Sequence, residues 1–319
     1  MSNQERKVLC LFTRTPLHVG AGSSVGAIDQ PIIRERHTGF PVIPASSLKG
    51  SFADQWQADL EQGNKKFLRV TTRENEDKEH VVDVVQDSAW LFGSNNDKAA
   101  FTGAIQFGEG RVLAFPIRSA KGSYAWITCP LALRRAARDG VIRTAALNGL
   151  KEPADEKAIF DAGANSKVSL DGKIVLEEYC FENLAWLGLS ALGETLAGLL
   201  PGDEIWNEIT SRLVIVSDGM MSFFTQNACE IAQHVRISDE TGTAEGGALF
   251  NQENVPGETL FYAVLNFTSG RGAKLREKTP GAAITEFAGK VDGKVFQFGG
   301  DASTGLGYCS TVLTETKKG

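Results

Sequence analysis

Apolar positions recur along the chain with two periods, and together they predict a sheet with a few helices. Short apolar runs of strand length, bounded by glycine, proline or charge, open the chain at 7–19. Similar runs return at 103–108, 111–117, 212–216, 231–238, 258–267, 294–298 and 307–314. Runs of this length with such flanks are characteristic of buried or half-buried strands. The clearest helical period lies after the first of them. Leu48, Phe52, Trp56 and Leu60 recur every four residues on one face, Ser46 and Ser47 precede them as N-caps, and Gly63 closes the segment. That pattern predicts a helix over 47–62. Further helices are expected near 281–290 and around 119–138, the latter interrupted by Pro130. Residues 63–90 are charged and read as irregular. Within 153–208 short amphipathic pieces mix with turns, and the apolar runs from Leu184 to Leu200 suggest a small helical subdomain. Strands and helices in this mixed order, without strict βαβ alternation, predict an α+β fold with helices on one face of the sheet.

The chemistry concentrates between the first strand and the first helix, in TPLHVGAGSSVGAIDQPIIRERHTGFPVIPASSLKGSFAD, Thr15 to Asp54. Gly20, Gly22 and Gly26 give GxGxxxG after an apolar run, close to a dinucleotide fingerprint. That fingerprint needs a helix opening directly from the loop. Here Pro31, Pro41 and Pro44 follow, and proline removes a backbone donor and clashes within a helix, so no useful helix starts there. There is no GK[ST] tail either. A nucleotide enzyme built on these glycines is therefore disfavoured, and on their own they are equally turns between short strands. Lys49 lies near the helix N-terminus, where free N–H groups already favour an anion. A lysine there opposes the dipole, a local conflict of the kind found where an anionic partner binds. Read alone, it is as well a solvated surface lysine. Asp29 stands in AIDQP, in a loop; an aspartate near a proline is commonly a turn former.

At 319 residues the chain buries ample core. No segment approaches the ~18 uninterrupted apolar residues of a membrane span, and the start MSNQERKVLCLF has no signal-peptide pattern. The five cysteines are scattered without CxxC spacing and read as reduced, mostly buried thiols of a cytoplasmic protein. With four scattered histidines, no zinc site is expected. A formal net charge of −6 is the wrong sign for nucleic-acid binding, but it is unevenly placed. Residues 151–208 hold twelve acids and four lysines, a local −8, whereas 14–50 hold four basic residues and two acids, a local +2. An acidic lobe with a basic channel permits RNA on one face.

Four blocks carry a resemblance to a known family. HVGAGSSVGAIDQPIIRERHTGFPVIPASSLKG resembles the signature of RAMP backbone subunits of type III-B CRISPR (Cmr) RNA-guided effector complexes. Residues 91–133 are similar to that family's middle block and 228–265 to its thumb hairpin and following strand. FQFGGDASTGLGYC, residues 296–309, resembles the C-terminal glycine-rich loop of RAMP proteins. The resemblance covers most of the chain and is weakest at 55–90 and 140–215. It implies a single domain over 1–319 with a ferredoxin-like (RRM-related) core. Insertions are expected at approximately 63–90 and 140–210, the latter helical, with a protruding thumb β-hairpin at approximately 236–254.

In function the resemblance implies a crRNA-binding backbone subunit in a helical filament of its own copies, beside other type III-B subunits. Such a subunit cleaves guide-paired target RNA at regular intervals in antiviral defence. The family's cleavage aspartate falls on Asp29, as metal ligand or base with a divalent ion (Mg or Mn). His18 is the second catalytic candidate, as a phosphate contact or proton shuttle. Guide phosphates would be held by Arg34, Arg36, Ser46, Ser47 and Lys49. On the C-terminal loop, Gly299, Gly300, Ser303, Thr304 and Gly305 would join them, with that loop packed near the SSLKG helix start. One departure stands out. After GAL the family usually reads aromatic, Tyr, Glu, Glu, Tyr, and this chain has Phe250, Asn251, Gln252, Glu253, Asn254. Gln252 and Asn254 thus replace a Glu and a Tyr implicated in cleavage, leaving Glu253 as the nearby acid. The alternative is a catalytically weak or inactive guide-binding subunit.

Overall fold

The computed structural model describes residues 4–22, 26–61, 67–73, 79–85, 90–94, 101–235, 237, 249–270 and 278–317. Its first half runs β1 (Glu5–Thr13), β2 (Val42–Ile43), α1 (Ala45–Glu61), β3 (Phe67–Arg73), β4 (Glu79–Val85), β5 (Gly93–Ser94), β6 (Phe101–Thr102), β7 (Ile105–Phe107), β8 (Gly110–Ser119), β9 (Ser123–Thr128) and α2 (Pro130–Arg138). The second half runs β10 (Lys157–Phe160), β11 (Lys173–Leu176), β12 (Tyr179–Asn183), α3 (Leu189–Ala197), β13 (Leu213–Ile215), α4 (Asp218–Asn227), β14 (Glu230–His234), β15 (Phe250–Asn254), β16 (Leu260–Phe267), α5 (Pro280–Val291), β17 (Lys294–Gln297) and β18 (Tyr308–Glu315).

At the centre β8, β16, β1 and β18 lie side by side in that order, each antiparallel to its neighbour. β17 extends the sheet beyond β18, and β9, β13, β10, β12 and β11 extend it beyond β8. β1 is buried along its inner six residues because both of its faces are covered. Leu9 and Leu11 enter one core with Leu48, Phe52 and Trp56 of α1 and Phe287 of α5. Val8, Cys10 and Phe12 enter a second core with Leu133 of α2 and Leu192 and Leu196 of α3. The expectation of helices on one face is thus corrected. A continuous apolar run marks a strand buried on both sides, and β1 is one.

Three other sequence expectations change. The helix expected over 119–138 is strand β9 followed by α2, and Pro130 starts the helix. Cys129 caps it, its sulfur accepting the Ala132 N–H, and proline suits the first helical position because its missing donor would be unpaired there. Residues 63–90 are not irregular throughout, since β3 and β4 pair antiparallel over seven residues each. The 140–210 segment is not only helical; β10, β11 and β12 join the main sheet. The expectations for α1, α5, β16, β17 and β18 hold to within a few residues.

Cys10, Cys129 and Cys309 are buried and Cys180 is exposed. Burial pushes the Cys10 thiol up to about 12 and that of half-buried Cys229 to about 12, and raises Cys129 and Cys309 as well. A raised thiol pKa leaves no thiolate to react near neutral pH. Titration of the native protein with an aromatic disulfide at pH 8 should therefore label one rapid thiol, lost in Cys180→Ser; several rapid thiols would contradict these environments.

Candidate nucleic-acid interface

Three successive residues of β15 hold two loops, the β1–β2 connection at two points and the C-terminal loop at one. Asn251 holds the first point of that connection: its backbone N–H donates to Asp29 Oδ2 at 2.9 Å, its Oδ1 accepts the Asp29 N–H at 2.8 Å, and its Nδ2 donates to the Ala27 carbonyl at 3.0 Å. The Gln30 N–H then donates to the Asn251 carbonyl at 3.1 Å, and the Glu253 N–H to the Gln30 carbonyl at 2.9 Å. Gln252 holds the C-terminal loop, its Nε2 donating to Asp301 Oδ2 at 2.7 Å. Glu253 holds the second point of the β1–β2 connection: Oε1 accepts from Arg34 Nη2 at 2.5 Å and Oε2 from the Ile32 N–H at 3.0 Å. Its carbonyl also accepts from His18 Nδ1 at 2.7 Å. A carbonyl only accepts, so Nδ1 carries a proton.

The two glycine-rich loops close around His18. A Cβ on Gly20 would lie 3.0 Å from His18 Nε2. On Gly299, which has φ +78°, a Cβ would lie 2.1 Å from the His18 carbonyl oxygen, and the Gly300 N–H donates to that same oxygen at 2.9 Å. Only glycine meets both demands at 299, the left-handed backbone and the close approach. His18 is 8% exposed. Its anchor and that of Asp29 are two residues apart on β15, about 7 Å along a strand. Asp29 itself is exposed, with Oδ2 engaged by Asn251.

The remaining expected residues divide into inward and outward groups. Arg34 is turned inward: besides Glu253, it donates through Nη1 to the Gly39 and Thr225 carbonyls, each at 2.8 Å, and through Nη2 to Cys229 Sγ at 3.3 Å. These bonds use its terminal nitrogens to tie the loop to α4, so it does not present the free fork expected of a phosphate ligand. Glu253 is corrected in the same way. It is 3% exposed with both oxygens committed, and is a buried anchor where the sequence suggested an acid facing RNA. Gln252 and Asn254 are 1% and 2% exposed. Arg36, Ser46 and Ser303 are exposed, and Ser47 and Lys49 half-exposed. Ser46 and Ser47 are not caps: α1 begins at Ala45, and the Pro44 carbonyl accepts the Leu48 N–H at 3.1 Å. Both serines lie in the first turn, whose N–H groups lack intrahelical partners. Thr304 Oγ1 donates to the Asp301 carbonyl at 2.9 Å within an exposed turn that Gly305 ends.

The end of β17 and Phe298, just before the C-terminal loop, pack on α1. Phe298 lies 5.2 Å and Phe296 5.0 Å, ring to ring, from Phe52, and Gln55 Nε2 donates to the Gln297 carbonyl at 3.3 Å. These contacts lie on Phe52 and Gln55 of α1 and come from the residues that lead into the glycine-rich loop.

The segment expected as a thumb, 236–254, lies outside the described residues at 236 and 238–248. Below it β14 and β15 form a two-stranded ribbon paired from Glu230↔Asn254 to His234↔Phe250. Ile231, Val235, Ile237 and Leu249 on and beside that ribbon are at least half exposed. Among the described residues no three His, Cys, Asp or Glu side chains gather as a metal site. No helix among them is long and apolar enough to cross a membrane.

Sequence reasoning missed Asn251 and Asp301 as partners of the expected residues, and the inward role of Arg34. One signal was available: FNQEN is unusually polar for a strand, and buried amides in a strand need specific partners.

The RAMP superfamily sequence pattern matches residues 11–310. The chain is 33% identical over 309 residues to the CRISPR system Cmr endoribonuclease Cmr4 of Pyrococcus furiosus, covering 96% of this chain and 94% of that one. Its fold is similar to that of the crystal structure of oligomeric Cmr4 from Pyrococcus furiosus, with a TM-score of 0.67 and 27% identity over 98% of this chain and 99% of that one. A subunit in a cryo-EM structure of the type III-B Cmr-beta complex bound to cognate target RNA shares the fold with a TM-score of 0.65 at 17% identity, over 97% and 96% of the two chains.

Proposed function

Because this chain belongs to the RAMP superfamily, we propose that it is a guide-RNA-binding backbone subunit of a type III-B CRISPR effector complex, and that it cleaves the target RNA paired with the guide. The observation that carries this reading is the near full-length likeness to an endoribonuclease, joined to an exposed Asp29 whose loop is fixed on β15. The chain acts as one domain in a filament of its own copies with other subunits of the complex, in the cytoplasm. The central β8–β16–β1–β18 order, with α1 and α5 in the connections, supports a ferredoxin-like core. The β14–β15 ribbon, with exposed apolar side chains, supports a thumb over 236–254.

Guide phosphates meet the outward group: Arg36, Lys49, the first turn of α1 with Ser46 and Ser47, and the loop of Gly299, Gly300, Ser303, Thr304 and Gly305. Those contacts position the guide without reading its bases. RNA carries its own nucleophile in the 2′-OH, so the protein need only align the target phosphodiester and manage one proton and one developing charge. Asp29 offers a carboxylate oxygen beyond the one Asn251 holds, facing solvent where the target lies. His18, buried and bonded at Nδ1, serves mainly to join the glycine loops to β15. A divalent cation, Mg or Mn, supplies charge neutralisation at the phosphate. One carboxylate with no cluster beside it among the described residues would suit a cation shared with RNA oxygens, not a cage built by the chain. A second reading, a guide-binding subunit with weak cleavage, is favoured by one observation: Gln252 and Asn254 are buried amides at positions where the family places a Glu and a Tyr. Incubating the assembled complex with complementary RNA and a divalent ion separates the two, because regularly spaced cuts require the first.

Lys49→Ala should weaken guide binding equally for two unrelated spacers. It should also flatten the logarithmic salt dependence by about 0.7, the increment for one phosphate contact on a single strand. Binding measured across a salt series checks this; a loss confined to one spacer would make Lys49 a base reader.

A further inference from the structure

The Asp29 loop owes its shape to Asn251, a side chain to which the resemblance assigns no role. Residues 27–29 lie between a glycine-rich stretch and Pro31, with no helix or strand of their own beyond an isolated bridge at Ile28. Isolated, such a segment samples many backbone states. The structure fixes it with one amide: Asn251 Oδ1 takes the Asp29 N–H and Asn251 Nδ2 gives to the Ala27 carbonyl, closing a ring around Ile28. The Asn251 backbone N–H then donates to Asp29 Oδ2, which sets the direction of the carboxylate and leaves the other oxygen for RNA. Oδ1 as acceptor and Nδ2 as donor spend both ends of the amide; an aliphatic side chain supplies neither, and a hydroxyl carries donor and acceptor on one atom, which does not span the two partners.

We propose that Asn251 is a positioning residue for target cleavage, acting through Asp29 and touching neither RNA strand. This rests on the reading of the chain as a target-cleaving subunit. Asn251 also sits on the ribbon that leads into 236–249, so the carboxylate is held by the same strand that carries the segment read as a thumb. A group whose placement is set by a supporting side chain loses rate steeply when that support moves, on the order of 100-fold for a displacement of about 1 Å. The loss falls on the chemical step and not on binding.

The test uses the assembled, guide-loaded complex with wild-type, Asn251→Ala or Asn251→Gln subunits. Asn251→Gln keeps the amide but moves it by one methylene, and carries the test if Asn251→Ala does not assemble. The expected result is a single-turnover cleavage rate lower by about 10- to 100-fold, with guide content and the half-saturating target concentration unchanged. Amide hydrogen exchange in the same proteins should quicken at Asp29 and at no residue of β1 or α1. Wild-type cleavage rates in both variants, or a rate loss matched by loss of guide content in Asn251→Gln, would overturn the proposal. Unchanged exchange at Asp29 would overturn it as well. The exchange readout does not depend on activity. A wild-type complex that cuts no target would sink the functional reading, while the exchange result would still report on the clamp.

Discussion

Asp29→Ala is expected to remove detectable cleavage of guide-paired RNA while guide content and complex assembly stay near wild type. Asp29 is exposed, and among the described residues its side chain makes one bond, to the Asn251 N–H, so its loss costs the folded protein only about 1 kcal/mol. The chemistry has no substitute close by. Glu253 has both oxygens committed inside the protein, Asp301 is bonded to Gln252, and no acidic cluster forms among the described residues. Loss of a positioned acid or base slows a reaction by about 10²- to 10⁴-fold, and loss of a charge-stabilising group adds to that. Denaturing gels of end-labelled target, with native gels of the same samples, read both quantities. An Asp29→Ala complex that cuts at the wild-type sites and rate would reject the assignment.

Glu253→Ala should act in the opposite sense, on stability first. The Glu253 side chain is 4% and that of Arg34 19% exposed, and their pair is reinforced by the Ile32 N–H. Removing Glu253 leaves the Arg34 guanidinium without its counter-charge, though still bonded to the Gly39 and Thr225 carbonyls, and the buried Ile32 N–H without its partner, at a cost of about 3–5 kcal/mol. That is a large fraction of the stability of an ordinary domain. A clearly lowered unfolding midpoint is therefore expected, with cleavage and guide binding falling together because the 30–34 segment loses its anchor. Glu253→Gln keeps an acceptor for Ile32 and should be milder. If Glu253→Gln lost cleavage at full stability, Glu253 would be facing substrate, and the buried pair would not describe the working protein.

Some of this was determined by the sequence alone. The fourfold spacing of Leu48, Phe52 and Trp56 requires a helix with one buried face. The apolar run in β1 requires a covered strand, and Pro31, Pro41 and Pro44 exclude a phosphate-binding helix after the glycines. These are local properties, expressed within a few residues of backbone geometry. The loop position of Asp29 was legible for the same reason. The tertiary structure alone decided which polar groups satisfy one another. Asn251 finds Asp29 across 222 residues of chain, Arg34 finds Glu253 across 219, and Gln252 finds Asp301 across 49. Composition made Arg34 and Glu253 look alike to Lys49 and Asp29, as charged residues in a signature block. Burial then separated them, because a charge enclosed by the fold must be paired, whereas one left at the surface can serve an external ligand. Covering both faces of β1 was settled at the same level. Helices distant in sequence, α1 and α5 on one side and α2 and α3 on the other, meet it only through the tertiary fold.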